Sequence, residues 1–312
     1  MNTPHFDHLS VCAVVVTWNI GPALVENIEA TLPQVDKAVI VDNGSDMETL
    51  HVIHSLEARF PDKIFIIRNP ANTGLAGAQN QGIAYAADRG FQWVLILDHD
   101  STPAPGMVLE MLTVFRHLNR EDVALLAPNI RDRNTCRTYY YLKPGFAFLF
   151  EKVTFAENKY IEDILLAIAS GSLIRVEAIR KIGFFNEKFF IDYIDTEFCL
   201  RLRKYGYAIV AVRDGILEHT LGEISTHFLG DIEVNVTNHS TKRRFTIFRN
   251  RSFLWRKYWK LAPAFVFFDF LAAWYELIKI VLFEKQRPGK IFNALHGLYK
   301  GRTLQELKRG PF

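Results

Sequence analysis

The stretch Trp93-Val-Leu-Ile-Leu-Asp98-His99-Asp100 decides the predicted fold, because a short apolar run ends abruptly in two carboxylates. Such a run is typical of a strand buried on both faces of a parallel sheet. Open α/β sheets bind ligands beyond the carboxyl ends of their strands, where Asp98 and Asp100 would lie. Two carboxylates this close repel each other, so the pair predicts a hard divalent cation, Mg or Mn. In a purely structural alternative, Asp98 ends the strand and Asp100 caps the turn before Pro103.

Three strand–helix units precede this strand. Residues 11–17, 38–42 and 63–68 are apolar or β-branched runs, and a helical pattern follows each of them. The second helix is predicted to begin at a capping box formed by Ser45 and Glu48. Strands that alternate with helices predict an α/β fold with a Rossmann-like, mostly parallel sheet flanked by helices.

Beyond the central strand the pattern becomes mixed. It predicts a helix over residues 105–119, a strand near 123–127, strand-like aromatic stretches over 138–153 and a strand over 164–168. A further helix is expected over residues 190–206.

Three carboxylates, Asp192, Asp195 and Glu197, fall in the first turn predicted for this last helix. Negative charge at a helix start matches the helix dipole, which accounts for one or two of the three. A third carboxylate beside aromatic residues indicates a catalytic role.

The glycine-rich stretch Gly74-Leu-Ala-Gly77-Ala-Gln-Asn80-Gln-Gly82 fits neither the Gly-x-Gly-x-x-Gly fingerprint nor a Walker loop. This argues against dinucleotide oxidoreduction and P-loop hydrolysis. Small residues at a helix start still let a phosphate reach the exposed backbone amides, so a nucleoside diphosphate stays among the expected ligands.

Composition predicts an ordinary globular protein. The chain has 312 residues, of which 49% are hydrophobic, enough for a full core. Its first residues lack the basic and apolar segments of a secretory signal, so a cytoplasmic location is expected. Cys12, Cys136 and Cys199 have no metal-ligand spacing and are predicted to be reduced core thiols.

Charge is distributed unevenly along the chain. Residues 242–312 hold 16 Lys and Arg against 4 Asp and Glu, a net charge of +12, which leaves −9 for residues 1–241. Aromatic residues are interleaved with these cations, as expected at a lipid boundary. The apolar run over 261–283 is interrupted by charged residues, so it is predicted to lie in an anionic membrane surface without crossing it.

Two alternatives exist for this basic region. It could instead pack on the rest of the protein as ordinary core, with its cations forming a solvated face. Aromatic and basic residues also mix in nucleic-acid-binding proteins, but the acidic body argues against a nucleic-acid partner.

Taken together, the motifs resemble the inverting glycosyltransferases of family 2, which have the GT-A fold, and especially their bacterial rhamnosyltransferase branch. The resemblance rests on the order of Val-Val-Thr17-Trp18-Asn19, Val-Asp42-Asn43-Gly44-Ser45, the glycine-rich stretch, Asp98-His-Asp100, Ser170-Gly-Ser172, Asp192-Tyr-Ile-Asp195-Thr-Glu197, Glu218-His219 and Arg249-Asn250. Together these motifs span most of the chain.

This resemblance implies roles for individual residues. The residues implied to bind the nucleotide-diphosphate sugar donor are Thr17, Asn19, Asp42, Asn43, Gly74, Asn80 and Asp98. Asp98, Asp100 and His219 are implied to form the metal and diphosphate site, although a lone histidine after a strand is often structural. Asp195 corresponds to the catalytic base, with Asp192 and Glu197 as competitors.

The resemblance also implies a domain plan and an activity. Residues 1–241 would form the catalytic domain, with a nucleotide-binding half at about 10–128 and an acceptor half at about 129–241. Residues 242–312 would form a helical region peripheral to the inner face of the cell membrane. The expected reaction moves L-rhamnose from dTDP-L-rhamnose onto a lipid-linked or polysaccharide acceptor.

Two other activities are considered. Another nucleotide sugar, such as UDP-galactofuranose, could be the donor. Asp98-His-Asp100-Ser-Thr102 also matches the nucleophile loop of haloacid-dehalogenase-like phosphatases, but that loop follows the first strand of their sheet, whereas three strand units come first here.

Overall fold

A computed structural model of the chain describes residues 9–133, 138–145, 149–219, 225–229 and 232–305. Cys136 lies outside these residues. Cys12 and Cys199 are buried free thiols, as predicted, and burial raises the pKa of each to about 12.

The strands and helices alternate through the first half of the chain. The strands are β1 (Val11–Thr17), β2 (Lys37–Asp42), β3 (Ile64–Arg68), β4 (Trp93–Asp98), β5 (Ser101–Pro103), β6 (Val123–Asp132), β7 (Tyr141–Pro144), β8 (Phe150–Val153), β9 (Tyr160–Ile161), β10 (Leu173–Arg175), β11 (Ala208–His219), β12 (Ser225–Leu229) and β13 (Ile232–Val236). The helices are α1 (Leu24–Thr31), α2 (Met47–Arg59), α3 (Leu75–Asp88), α4 (Met107–Leu118), α5 (Val176–Ile182), α6 (Ile194–Lys204), α7 (Thr241–Tyr258), α8 (Pro263–Phe283) and α9 (Arg287–Thr303).

The central sheet has the strand order β3-β2-β1-β4-β10-β6-β11-β5, and β9 pairs with β11. The pairs β3–β2, β2–β1, β1–β4 and β6–β11 are parallel. β10 runs antiparallel between β4 and β6. The predicted mostly parallel α/β sheet, with helices after the strands and a helical C-terminal part, is confirmed.

Both faces of the sheet are buried, which is why its central strands read as continuous apolar runs. Along β1, Cys12, Val14 and Val16 face one part of the core, while Val11, Ala13 and Val15 face another. Helices α3, α5 and α6 cover the first face, and α1, α2 and α4 cover the second.

The strand expected over residues 164–168 is wrong. This segment is irregular, and the strand begins later, at Leu173. Ile164 and Leu165 are nonetheless buried, and their backbone amides donate to the carbonyls of Ile209 at 3.1 Å and Leu142 at 2.7 Å. The apolar run therefore reflects burial in the core and not strand periodicity.

Two predicted helix starts are also displaced. At α2 the cap is Asp46, whose carboxylate accepts a hydrogen bond from the Thr49 amide at 2.9 Å, in place of Ser45. Helix α6 begins at Ile194, so Asp192 precedes the helix, in a left-handed conformation with φ of 64°. Only Asp195 and Glu197 lie in its first turn.

Helices α7 and α9 pack closely against each other. A Cβ atom at Gly297 or Gly301 of α9 would overlap the backbone of α7, so glycine is needed at both contacts. Phe253, Leu254 and Tyr258 of α7 enter the core of the sheet domain. The C-terminal helices are therefore joined to the rest of the structure through α7.

Candidate active site

A cleft of about 950 Å³ opens at the carboxyl ends of β1 and β4, where the strand pattern predicts a ligand. We call it the main cleft. Five of the predicted site residues line it, namely Asn43, Asp98, Asp100, Asp195 and His219. Strands β4 and β11 and the start of α6 therefore bring the predicted carboxylates and histidine to one place.

A chain of hydrogen bonds connects Asp98 to His219. The backbone amide of Asp98 donates to Ser170 Oγ at 3.0 Å, and Ser170 Oγ donates to Ser101 Oγ at 2.9 Å. Ser101 Oγ lies 2.8 Å from His219 Nδ1, because β5 and β11 pair with these two residues opposite each other. The bond at Nδ1 orients the ring and leaves Nε2 as the nitrogen that could bind a ligand.

Electrostatic repulsion is concentrated at Asp98. Burial, together with the smaller effects of the Asp100 and Asp195 charges, raises the pKa of this carboxyl to about 7. Burial lowers the pKa of His99, against the opposing effect of Asp100, so this imidazole does not provide the missing positive charge. A divalent cation bound by the carboxylates would relieve this repulsion.

The side chains in the main cleft could supply some of the ligands of a metal site. Asp98 and Asp100 offer the oxygen ligands that Mg²⁺ and Mn²⁺ prefer. Within the described part of the chain, no three His, Cys, Asp or Glu side chains form a group that could hold a metal by themselves. Water and ligand oxygens would therefore have to complete the coordination.

Asp195 lies where the main cleft meets a second one. This second cleft, of about 450 Å³, is lined by Tyr139, Tyr140 and Tyr141, and we call it the tyrosine cleft. Asp195 and His219 line both clefts. A carboxylate at this junction could accept a proton from a group bound in one cleft while the reacting partner occupies the other.

Burial raises the pKa of Asp195, and the charge of Asp192 adds to this effect. The backbone amide of Thr196 donates to Asp195 Oδ1 at 2.7 Å, which partly offsets the shift. A carboxylate with a raised pKa is a stronger proton acceptor than an ordinary aspartate.

The two competing carboxylates have other partners. Glu197 is buried and bonded to Arg201 at 2.9 Å, to Lys257 at 3.1 Å and to the Tyr258 hydroxyl at 2.7 Å. Burial acts to raise the Glu197 pKa, but these partners outweigh burial and lower it. Asp192 lines the main cleft and forms a bidentate pair with Arg243 at 2.9 and 3.0 Å.

Several residues predicted to bind the donor shape the loops around the main cleft. Asn43 Oδ1 accepts a hydrogen bond from the Thr73 amide at 2.9 Å, and its Nδ2 donates to Asn72 Oδ1 at 3.1 Å. Asp42 Oδ1 accepts from the Ser45 amide at 3.1 Å. Asn43 thus ties the loop after β2 to the loop before α3.

Thr17, Asn19 and Asp42 lie at the carboxyl edge of the sheet but do not line the main cleft, although their neighbours Val16, Trp18 and Asn43 do. Thr17 Oγ1 is buried and has no hydrogen-bond partner in the described structure. Asn19 Oδ1 accepts from the Asp46 amide at 2.8 Å. Contacts of these three residues with a donor stay a prediction.

Gly74 and Asn80 flank the start of α3. At Gly74, φ is +87°, and a Cβ atom would lie 2.6 Å from the Phe190 ring, so only glycine fits. The Asn80 side chain donates to the Phe185 carbonyl at 3.0 Å and to Glu187 at 2.8 Å, and it accepts from the Phe185 amide at 3.0 Å. The Asn80 side chain is therefore bonded to residues 185–187 and does not line the main cleft. Its proximity to a diphosphate stays a prediction.

Sequence reasoning missed several residues of the main cleft, among them Trp18, Lys242 and Arg243. Trp18 is half exposed at the end of β1, and Lys242 and Arg243 extend into the cleft from the start of α7. The position of Trp18 directly after a strand was an available signal. Nothing local connects Lys242 and Arg243 to Asp98 and Asp100, which lie more than 100 residues earlier in the chain.

Comparison with known proteins gives two informative sequence relatives. The chain is 28% identical over 252 residues to the dTDP-rhamnosyl transferase RfbF of Shigella flexneri, an alignment that covers 80% of each protein. It is 26% identical over 255 residues to the galactofuranosyltransferase GlfT1 of Mycolicibacterium smegmatis, covering 78% of this chain and 82% of the relative.

Solved structures share the fold. Residues 1–349 of TarS from S. aureus match with a TM-score of 0.62 at 11% identity, over 94% of this chain and 80% of that one. GalNAc-T7, solved with UDP, GalNAc and Mn²⁺, matches with a TM-score of 0.60 at 13% identity over 83% of this chain, which spans half the length of that protein. The profile of glycosyl transferase family 2 matches residues 12–183, more than half of the chain, and the protein belongs to this family.

Proposed function

We propose that this family 2 glycosyltransferase transfers a hexose with inversion, from a nucleoside-diphosphate donor in the main cleft to a hydroxyl group in the tyrosine cleft. The observation that carries the proposal is the position of Asp195, which lines both clefts. An inverting displacement needs a base on the acceptor side of the reacting carbon, and the junction of two binding clefts meets this requirement.

Each reacting group has a candidate partner among the chain's own residues. The acceptor oxygen attacks the anomeric carbon, Asp195 takes the hydroxyl proton, and the bond from the anomeric carbon to the diphosphate oxygen breaks. Asp98 and Asp100 would hold a divalent cation together with water and donor oxygens, and His219, which lines the same cleft, is a further candidate ligand. When bound, this ion would neutralise charge on the departing diphosphate.

The metal proposal has two supports. Burial and the repulsion from Asp100 and Asp195 raise the pKa of Asp98, and a cation at this position would relieve both effects. A structural neighbour, GalNAc-T7, was solved with Mn²⁺.

dTDP-L-rhamnose is the proposed donor, because the relative RfbF is named as a dTDP-rhamnosyl transferase. UDP-galactofuranose is the second candidate, since galactofuranosyltransferase GlfT1 aligns over a similar share of the chain. We propose a glycan or a lipid-linked glycan as acceptor, bound against the tyrosines of the second cleft, where sugar rings can stack on aromatic faces.

The test is a panel of nucleotide sugars assayed for release of the nucleoside diphosphate with Mg²⁺ or Mn²⁺ present. We expect turnover with dTDP-L-rhamnose above that with UDP-galactofuranose, UDP-glucose or UDP-GlcNAc. Preference for UDP-galactofuranose would replace the donor assignment, and no release from any donor would contradict the proposal. Phosphatase activity on p-nitrophenyl phosphate in the same preparation would instead favour the alternative in which Asp98 is a nucleophile.

The role of Asp100 is tested by binding. We expect Mn²⁺ to tighten the binding of dTDP to the native protein. Damage to a metal site typically costs roughly 10-fold or more, so Asp100→Ala should remove at least that much of the tightening. Titration calorimetry with and without Mn²⁺ measures this, and Asp62→Ala, at an exposed carboxylate before β3, is the control. Equal tightening by Mn²⁺ in both variants would show that Asp100 is not a metal ligand.

We further propose that α8 and α9 rest on an anionic membrane surface. Their outer faces carry many side chains that are 40 to 69% exposed: Phe267, Phe268, Phe270, Leu271, Trp274, Tyr275, Ile278, Val281, Leu282, Phe292, Leu295 and Tyr299. Exposed cations on the same helices or next to them include Lys260, Lys285, Arg287 and Lys300. None of the helices in the described ranges is both apolar and long enough for a membrane span.

Two of the three charged residues that interrupt the apolar run of α8, Asp269 and Glu276, lie on its inner face. Asp269 accepts hydrogen bonds from the Tyr193 hydroxyl at 2.8 Å and from Trp255 Nε1 at 2.6 Å. Glu276 pairs with Arg251 at 2.9 Å. These contacts turn the polar side of α8 toward α7 and the aromatic side outward, which supports an interfacial helix.

Flotation with phosphatidylglycerol vesicles tests the membrane proposal. We expect the protein to float with these vesicles, to bind less at high salt because screening weakens surface electrostatics, and to ignore neutral vesicles. The double variant Trp274→Ser, Ile278→Ser should lower binding by at least about 10-fold, since each buried side chain contributes about 1.5–3 kcal/mol. Leu109→Ser, at an equally exposed residue of α4, should bind normally. Unchanged flotation of the double variant would contradict the proposal.

A further inference from the structure

The loop over residues 189–193 leads directly into α6 and Asp195. Three of its residues, Phe190, Asp192 and Tyr193, have positive φ angles of 60°, 64° and 63°. Positive φ is uncommon for residues other than glycine and persists only where surrounding contacts enforce it. The shape of the loop therefore depends on groups outside it.

Asn250 of α7 provides these contacts. Its side chain is fully buried, and its amide nitrogen donates to the carbonyl oxygens of Phe189 at 3.1 Å, Ile191 at 3.0 Å and Asp192 at 2.9 Å. Its Oδ1 accepts a hydrogen bond from Arg249 Nη2 at 2.9 Å, which orients the amide. One side chain thus satisfies carbonyl groups on both sides of Phe190 and just before α6.

Neighbouring contacts hold the first residues of the loop. Arg249 Nη2 also donates to the carbonyl oxygens of Lys188 at 2.6 Å and Phe189 at 3.2 Å. On the other side, the Leu75 amide at the start of α3 donates to the Phe190 carbonyl at 2.7 Å. The loop therefore joins α3, on the donor side of the main cleft, to α6, which carries Asp195.

We infer that Asn250 is a positioning residue: through the backbone of residues 189–192 it fixes the start of α6 and places the Asp195 carboxylate between the two clefts. The inference rests on the proposed role of Asp195 as base. Asp192, whose carbonyl Asn250 holds, is three residues from Asp195. A displacement of about 1 Å at a reacting group lowers rates by about 10²-fold, so the loss of these hydrogen bonds would act on kcat.

The test compares Asn250→Ala with Ser252→Ala in the full chain. Ser252 lies on the same helix and is similarly buried, but its hydroxyl donates to the Leu298 carbonyl of α9, away from the loop. We expect Asn250→Ala to lower kcat with dTDP-L-rhamnose by 10-fold to about 10²-fold while leaving the dissociation constant of dTDP nearly unchanged. Ser252→Ala should retain native kcat.

Two further measurements keep the inference testable if Asn250→Ala folds poorly or if the proposed reaction is not observed. Arg249→Met removes two hydrogen bonds to the same loop from a partly exposed position and should lower kcat by a smaller factor. Amide hydrogen exchange should be faster over residues 189–197 in Asn250→Ala than in Ser252→Ala, and this readout does not require activity.

The outcomes distinguish the inference from the proposed function. If Asp195→Asn retains native kcat, the proposed role of Asp195 has failed, and the exchange data alone test whether Asn250 holds the loop. If Asp195→Asn is inactive but folded Asn250→Ala matches Ser252→Ala in kcat, the positioning role is overturned. Unchanged exchange over residues 189–197, or parallel losses of kcat and dTDP binding in Asn250→Ala, would overturn it as well.

Discussion

Asp195→Asn is expected to lower kcat by about 10²–10⁴-fold, the contribution typical of a general base, while dTDP binds nearly as tightly as to the native enzyme. Asparagine keeps the size of the side chain and cannot take the acceptor proton. Single-turnover kinetics together with calorimetry of dTDP separate the chemical step from binding.

Asp192→Asn is the matched comparison, because Asp192 lines the same cleft but is neutralised by Arg243. We expect Asp192→Asn to retain most of the single-turnover rate. A larger loss in Asp192→Asn than in Asp195→Asn would move the base to Asp192. Equal losses of dTDP affinity in both variants would indicate that Asp195 acts as a ligand or as a structural group.

The pH profile should report the same carboxylate. The base must be ionised, so kcat should fall as the pH decreases through the pKa of Asp195. Since burial raises this pKa, the acid limb should lie above the range of an ordinary aspartate. Disappearance of this limb in Asp195→Asn would support the assignment.

Arg244→Met is expected to destabilise the protein by about 3–5 kcal/mol, the cost of breaking buried ion pairs and leaving one excess negative charge among the remaining partners. The Arg244 side chain is 1% exposed and pairs with Glu276 and Glu284, and the Glu284 side chain is 0% exposed. Lys290, at 2.8 Å, is the cation that Glu284 would keep. Urea denaturation of the whole chain gives the difference in free energy of unfolding.

Arg68→Met is the control for that measurement. Arg68 and Glu57 form a pair at 2.9 Å whose side chains are 50% and 40% exposed, so its loss should cost less than about 1 kcal/mol. Similar losses in the free energy of unfolding in Arg244→Met and Arg68→Met would mean that water reaches the ion pairs of Arg244.

The first half of the sheet was predictable because its information is local. Each of β1, β2 and β4 is a continuous apolar run, since helices cover both faces, and each ends at the edge where ligands bind. The Asp98 and Asp100 pair is adjacent to β4 in sequence. Its approach to Asp195 was implied only by the resemblance, and the structure brings these residues into one cleft.

The role of the basic C-terminal region was harder to read, because composition does not distinguish a buried cation from an exposed one. Arg244 and Arg251 were counted with the cations of a membrane surface, but both are buried in ion pairs with residues of α8. Arg243 lies in the main cleft. These partners are 18 or more residues away in sequence and become neighbours only when α7 packs against α8 and α6.

The sequence alone also assigns no role to the motif Arg249-Asn250, because its partners are distant in the chain. Its partners are backbone carbonyl groups of residues 188–192, about 60 positions earlier, which no side-chain pattern encodes. Similarly, the bond between Ser101 and His219 depends on the pairing of β5 with β11 across 118 residues. Only the folded chain identifies such supporting residues.

The anomeric configuration of the transferred sugar is the measurement that tests the central claim most directly. One displacement assisted by Asp195 predicts that the product, analysed by NMR with the donor that supports turnover, has the configuration opposite to that of the donor. A product that retains the donor's configuration would contradict the assignment of Asp195 as the base of a single inverting step.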